Sequence, residues 1–368
     1  MKSNTGSEIT SKQLIFVMIG TMLGSGILSL PRLAAKEAGQ DGWMAVILGA
    51  LFPLASLSLI RLLYKKNNEA SFVKVCRQVS GKWMGGLFSI IFAVYSILTS
   101  GILLRVFIEV VSLFLLTETP LLVKLIMMLS VSAYLAASNA KVLGRVNEFL
   151  FYLLLPIIFF ALPAITENAD IHNLMPVFNH KLSDYARASL ATGLAYSGFE
   201  LYIVFHPYVS REKDAFGASL YAVLITLVIY LYFVISTVMV FGTELVQVFA
   251  WPSLRVLGTL EVPIFERIEF FFIQWWIAVS FRPITIQYFC ASHIITELFK
   301  MKSQTWSTLA MFPFIILIAY YPKDIFQVFK YSDYIGRAAL IIGIALPLIL
   351  IIFGFFAGMK GAAKDENT

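Results

Sequence analysis

Apolar runs of about 17 residues or more recur ten times along the chain, each long enough to cross the hydrocarbon core of a bilayer as a helix. They fall at about 12–37, 43–64, 84–116, 121–137, 149–165, 186–207, 216–242, 266–299, 305–321 and 336–359. The third and eighth exceed what a bilayer needs, so they are expected to tilt or to project beyond it. The pattern predicts an all-α integral membrane protein of about ten transmembrane helices.

Two of the runs are interrupted. Gly20 to Pro31 reads GTMLGSGILSLP, which places Gly24-Ser25-Gly26 near the centre of the first run. Glycine there costs helix stability and frees backbone groups that lipid cannot satisfy, so the break is expected to line a cavity. The sixth run contains Tyr196-Ser197-Gly198-Phe199-Glu200. At 1.5 Å per residue, Gly24 and Gly198 each lie about 18 Å from the start of their own run, near the midplane. The sixth run follows the first by five spans, an odd number, so the two enter from opposite sides. That is the logic of a 5+5 inverted repeat with broken helices 1 and 6, with halves 1–165 and 166–368 in one membrane domain. The competing account is that Gly20, Gly24 and Gly26 serve close helix packing through small-xxx-small spacing.

Composition agrees with insertion in lipid: 59% of residues are hydrophobic and 14% charged, with a mean hydropathy of +0.82. The polar first eleven residues lead straight into the first run, so no removable signal peptide is expected. Lys and Arg are in modest excess on the side that holds both termini if these are cytoplasmic. The densest cluster is Arg61, Lys65, Lys66, Lys74, Arg77 and Lys82. Within it Phe72, Val73, Cys76 and Val79 have helical spacing, which predicts a short amphipathic helix on the cytoplasmic membrane surface. Topology and anionic lipid account for the net charge of +6, and no nucleic acid is needed. Cys76 and Cys290 read as isolated thiols, and His172, His180, His206 and His293 as solvated or helix-end residues without metal spacing. No metal or cofactor is expected. Trp251, Trp275, Trp276, Trp306 and Tyr320-Tyr321 fit interfacial belts, and Pro156 and Pro163 fit a kink. The segment 243–264 is expected to fold partly back as a lid. Without a nucleophile–base pair or a phosphate loop, the sequence does not read as an enzyme.

The ordered motifs carry a resemblance. GTMLGSGILSLP from Gly20 to Pro31 is similar to the first-helix signature of the amino acid–polyamine–organocation transporter superfamily, and TMLGSGILSLPR from Thr21 to Arg32 is the first piece of a narrower match. The whole chain resembles the B subunit of bacterial spore germinant receptors, the endospore germination permease family. The matching pieces continue with Asp41-Gly42-Trp43, Arg105 with Glu109, Ser197 to Glu200, Trp251-Pro252, Phe265 to Glu269 and Tyr331 to Gly336. Arg282-Pro283 departs from the family's pattern, in which uncharged residues are expected. The resemblance implies a subunit that recognises a small nutrient, most simply an amino acid, in the spore inner membrane, working with A and C subunits. The alternative is an autonomous proton- or cation-coupled amino acid transporter. A channel is a third reading, without a selectivity-filter motif behind it.

The break chemistry fits a zwitterion. The half-helix starting near Ile27 presents free N–H groups to a carboxylate, and carbonyls freed near Tyr196 and Ser197 suit an ammonium group. The candidate ligand-binding residues are therefore Gly24, Ser25 and Gly26 at the first break and Tyr196, Ser197, Gly198, Phe199 and Glu200 at the second. Tyr95 and Thr99, with Ser96 and Ser100, put hydroxyls on the third run at the same level, although such hydroxyls often bond back to their own helix. Arg282, also a candidate ligand-binding residue, lies at the depth of Glu200 and is expected to be able to pair with it. Arg105 and Glu109 pair along one helix at i, i+4, either as a structural ion pair or in gating.

Overall fold

The computed structural model describes residues 8–65, 70–209, 212–259 and 268–365; among them every regular element is a helix. Helix α1 (Ser11–Met22) starts at a reciprocal cap: Gln13 N–H donates to the Thr10 hydroxyl and Thr10 N–H to the Gln13 side chain, both at 3.1 Å. Two of the donors that a helix start leaves open are thereby satisfied. After an interruption the chain resumes as α2 (Gly26–Ala38), then α3 (Gly42–Gly49) and α4 (Leu51–Tyr64). The stretch from Gly26 to Tyr64 is apolar enough to be one long span. It is not straight, however. A Cβ on Gly42 would lie 2.9 Å from Ala34, eight residues earlier, whereas that spacing in a straight helix is about 12 Å. The chain therefore reverses at Gly39–Asp41, and two spans meet there.

Helix α5 (Phe72–Phe114) turns sharply at Gly81, with φ +82°. The piece before the turn is the expected amphipathic helix, but it lies against protein. Phe72, Val73 and Cys76 are buried, the Phe72 ring sits 5.0 Å from Phe92, and Arg77 donates to the Leu298 carbonyl at 3.4 Å. Its apolar face completes the bundle rather than entering headgroups. Of the basic cluster, Lys66 lies outside the described residues.

The chain continues through α6 (Leu121–Ala136), α7 (Ala140–Asn168), α8 (Leu182–Ala195) and the short α9 (Tyr202–Phe205). Then come α10 (Glu212–Val248), α11 (Pro252–Leu257), α12 (Ile268–Leu298), α13 (Gln304–Tyr320) and α14 (Ile325–Asp365). Within the described residues every expected apolar run coincides with helix, and the sixth is a pair bent by 56° across Tyr196–Gly198. Helix α5 is central, packed against α12, α13 and α14; α1 packs against α7, α10 and α12, and α2 against α8, α10 and α11. Leu51, Val131, Phe314 and Leu317 stand exposed on helix faces, as expected where lipid replaces water. The protein is an integral membrane protein.

Some residues assigned to surfaces are interior. Trp276 is buried and stacks on Phe107 at 5.5 Å, and Trp251 is buried beside Phe329 at 6.2 Å. His206 is also buried, stacked on Tyr64 at 4.3 Å. In each case the ring fills space between helices, which a one-dimensional pattern does not encode.

Candidate ligand-binding site

The two interruptions face each other. Helix α1 ends at Leu23, whose backbone (φ −85°, ψ 85°) leaves the helical region, and Gly24 N–H turns back to the Met22 carbonyl at 3.2 Å. At the second break Gly198 has φ +111°, a conformation that side-chain-bearing residues rarely adopt. A Cβ there would meet the Thr21 carbonyl oxygen at 2.6 Å, so the second break is pressed against the last turn before the first. The fully buried Tyr230 pins both: its hydroxyl lies 2.6 Å from the Met22 carbonyl and 2.8 Å from that of Ala195. One proton serves two carbonyls, one on each broken helix.

Between the breaks lies a cavity of about 160 Å³. Its floor includes Thr21, Gly24, Ser25, Ser197 and Gln287, and its walls rise along α2, α5 and α14 to Arg32, Val106 and Asp333. The cavity thus runs from the level of the breaks toward the end of the bundle that carries Asp41. At the mouth the Arg32 guanidinium lies 4.7 Å over the Phe329 ring, and Asp333 pairs with Arg337 at 2.9 Å. Beside the mouth, α11 docks on α2. Pro31 has no N–H to offer the Ile27 carbonyl, and the Ser253 hydroxyl takes that acceptor at 3.0 Å. This is the expected fold-back of segment 243–264, whose residues 260–264 lie outside the described ones.

A family model described as "Spore germination protein", the spore permease family, matches residues 8–328. The chain belongs to this spore germination family. Among curated relatives, it is 29% identical to Spore germination protein YndE of Bacillus subtilis over 353 residues, covering 94% of this chain and 96% of that protein. It is 28% identical to Spore germination protein B2 of the same organism (93% and 94% covered) and 22% identical to GerQB of Bacillus cereus (94% and 95%). Two solved structures share the fold. Mhp1, a nucleobase-cation-symport-1 family transporter in a closed conformation with bromovinylhydantoin bound, gives a TM-score of 0.66 at 10% identity, covering 95% of this chain and 93% of its own. MhsT in complex with L-phenylalanine gives 0.64 at 13% identity, with 94% and 98% covered.

In this spore germination protein the candidate residues separate into two layers. Gly24, Ser25, Gly26, Thr99 and Ser197 line the cavity. Tyr95, Tyr196, Gly198, Phe199 and Glu200 stand behind that lining. The Glu200 carboxylate is buried and receives three donors: Tyr95 hydroxyl at 2.6 Å and Gln287 Nε2 at 3.1 Å on Oε1, and Gly198 N–H at 2.7 Å on Oε2. The Tyr196 hydroxyl donates to the Val46 carbonyl at 3.2 Å, and Phe199 packs where Gly343 leaves room. Thr99 and Ser100 bond back to the carbonyls of Tyr95 and Ser96 at 2.8 Å each.

Arg282 corrects an expectation. It does not pair with Glu200: its Nε donates to the Val279 carbonyl at 2.9 Å, both terminal nitrogens are buried without a hydrogen bond, and it packs beside Gly20 outside the cavity wall. Glu200 has no need of it, because three neutral donors already satisfy the carboxylate. Arg105 and Glu109 do pair along α5, Nε to Oε1 at 2.8 Å. The sequence reading missed Gln287, Tyr230, Ser253 and Asp333. Asp333 alone sat in a recognised motif, Tyr331 to Gly336, whereas Gln287 and Tyr230 lie in long, mostly apolar helices and in no motif.

Proposed function

We propose that this protein is the B-type membrane subunit of a spore germinant receptor, and that it recognises a small nutrient, an amino acid, between its two broken helices. The observation that carries this is the cavity floored by both breaks in a chain of the spore germination family. Backbone freed from helical bonding supplies polar groups at membrane depth, and these suit a small zwitterion. The residues in contact are Gly24, Ser25, Gly26, Thr99 and Ser197. Tyr95, Tyr196, Gly198, Phe199 and Glu200 hold the breaks in shape. Arg105 and Glu109 steady α5 during any opening of the mouth. In this reading the two halves, 1–165 and 166–368, form a 5+5 inverted repeat of ten spans, both termini are cytoplasmic, the location is the spore inner membrane, and A and C subunits convert occupancy into germination.

A thermal-shift screen of the purified chain against the common amino acids tests the binding claim. A ligand at a hundred times its Kd stabilises the folded state by about 2.7 kcal/mol. A clear rise in melting temperature with at least one amino acid is expected, and no rise with any of them would remove the proposal. The second reading, autonomous coupled transport, is favoured by one observation: both structural neighbours share this fold, and one is described as a cation symporter.

A further inference from the structure

Gln287 is a buried side chain of the cavity wall, and its two amide atoms are in different situations. Nε2 donates to Glu200 Oε1, while Oε1 is buried without a hydrogen-bond partner. The orientation is dictated by Glu200. While Glu200 is ionised it holds only acceptors, so it meets the amide through the NH2 group, as it also accepts from the Tyr95 hydroxyl and the Gly198 N–H. With the nitrogen turned to Glu200, the amide oxygen is left as an acceptor without a donor, a state that buried polar groups rarely keep.

Two carbonyls at the breaks already have a donor. The Met22 and Ala195 carbonyls at the two breaks share the Tyr230 hydroxyl. We infer that Gln287 Oε1 receives the N–H donor of the ligand, with Glu200 acting as a positioning residue that fixes the amide and does not touch the ligand. This rests on the reading of the cavity as the amino acid site and deepens it by naming the atom that meets the amino group. It also relocates the ammonium partner from the backbone near Tyr196 and Ser197 to a side chain on another helix.

The consequence is selectivity against ligands that lack the amine. A site that offers a buried acceptor discriminates strongly against an analogue that leaves the acceptor unpaired. The full-length protein in nanodiscs is titrated by thermal shift with L-alanine and propionate, L-leucine and 4-methylpentanoate, and L-phenylalanine and 3-phenylpropionate. In the unsubstituted protein the amino acid of the bound pair is preferred by at least about tenfold. Gln287→Leu removes the acceptor and brings the ratio close to one, through loss of the amino acid rather than gain of the acid. Glu200→Gln gives the Gln287 amide a partner that can also donate, so the amide is free to turn; the ratio falls here too, and the double variant falls no further than Gln287→Leu.

A ratio that survives Gln287→Leu overturns the inference while leaving the receptor reading in place. Equal weakening of both members of the pair in Glu200→Gln shows a merely structural carboxylate and overturns the positioning role. If neither member of any of these pairs binds, the pair is replaced by the amino acid that the screen of common amino acids identifies and its acid lacking the amine; no binder in that screen removes the receptor reading and this inference with it. Should Glu200→Gln fail to fold, Gln287→Leu decides alone.

Discussion

At the scale of single residues, Gly198 and Gly24 are constrained by different neighbours. Gly198 combines φ +111° with backbone atoms of Thr21 at 2.6 to 2.8 Å from where a Cβ would stand. Gly24 meets only the Pro283 ring, at 2.9 Å. The Cβ at either position is therefore stopped by a facing helix. Gly198→Ala is expected to cost about 2 kcal/mol or more, from strain and from displacement of the first break, and Gly24→Ala about 1 kcal/mol. Melting temperatures in detergent check the ranking, and equal values for the two variants would contradict it. Glu200 and Arg282 share no hydrogen-bond partner. Their neutralisations, Glu200→Gln and Arg282→Gln, are expected to add to within about 0.5 kcal/mol in a double-mutant cycle. The break glycines were legible because glycine inside an apolar run violates a local rule. Gln287 violates none, so only the structure shows it beside Glu200.

At the scale of elements, two contacts tie connecting segments to the bundle. Asp41, at the turn between α2 and α3, is fully buried and accepts from Phe178 N–H and Asn179 N–H at 3.1 Å each and from the Tyr185 hydroxyl at 2.7 Å, with the His180 ring at 3.3 Å. Burial pushes this carboxyl up, and the hydrogen bonds of Tyr185, Phe178, His180 and Asn179 together push it further down, below the ordinary carboxylate value. A depressed group contributes stability that is complete above its unfolded value near 4 and is lost as pH falls through the folded value. The segment 170–181 is therefore expected to stay protected from hydrogen exchange from neutrality to about pH 4 and to open below it. Asp41→Asn, which cannot accept all of these donors, should open it at pH 7 at a cost of about 1–3 kcal/mol. Protection of the segment that is unchanged in this variant would show that the carboxylate does not hold it. The second contact, Ser253 on the Ile27 carbonyl, depends on Pro31 having left that acceptor free. Asp41 stood in the motif Asp41-Gly42-Trp43, but neither pairing could be read from the chain, since each joins residues more than a hundred positions apart.

At the scale of the whole molecule, the helical runs and both breaks could be read from the chain because lipid enforces long apolar segments and penalises every interruption. Which helices surround the site could not, because packing order is set by side-chain fit between distant segments. This explains how α5, α12 and α14 came to supply walls that the sequence reading had only partly assigned. The same architecture serves transporters and, in this proposal, a receptor, so the pocket alone does not distinguish them. Coupling does. A transporter must open its cavity alternately to both sides, driven by a gradient, whereas a sensing subunit needs only a ligand-dependent shift in the population of states that a partner reads. The Tyr230 hydroxyl ties α10 to both broken helices, and the Ser253 hydroxyl ties α11 to α2. Removing the A-type partner is therefore expected to abolish the spore's response to an amino acid while binding by this chain persists at unchanged affinity. Vesicles containing this chain alone should show no gradient-driven accumulation of a radiolabelled amino acid that the protein binds. Robust accumulation there would overturn the receptor reading in favour of autonomous transport, because a partner-dependent sensor has no reason to complete a transport cycle by itself.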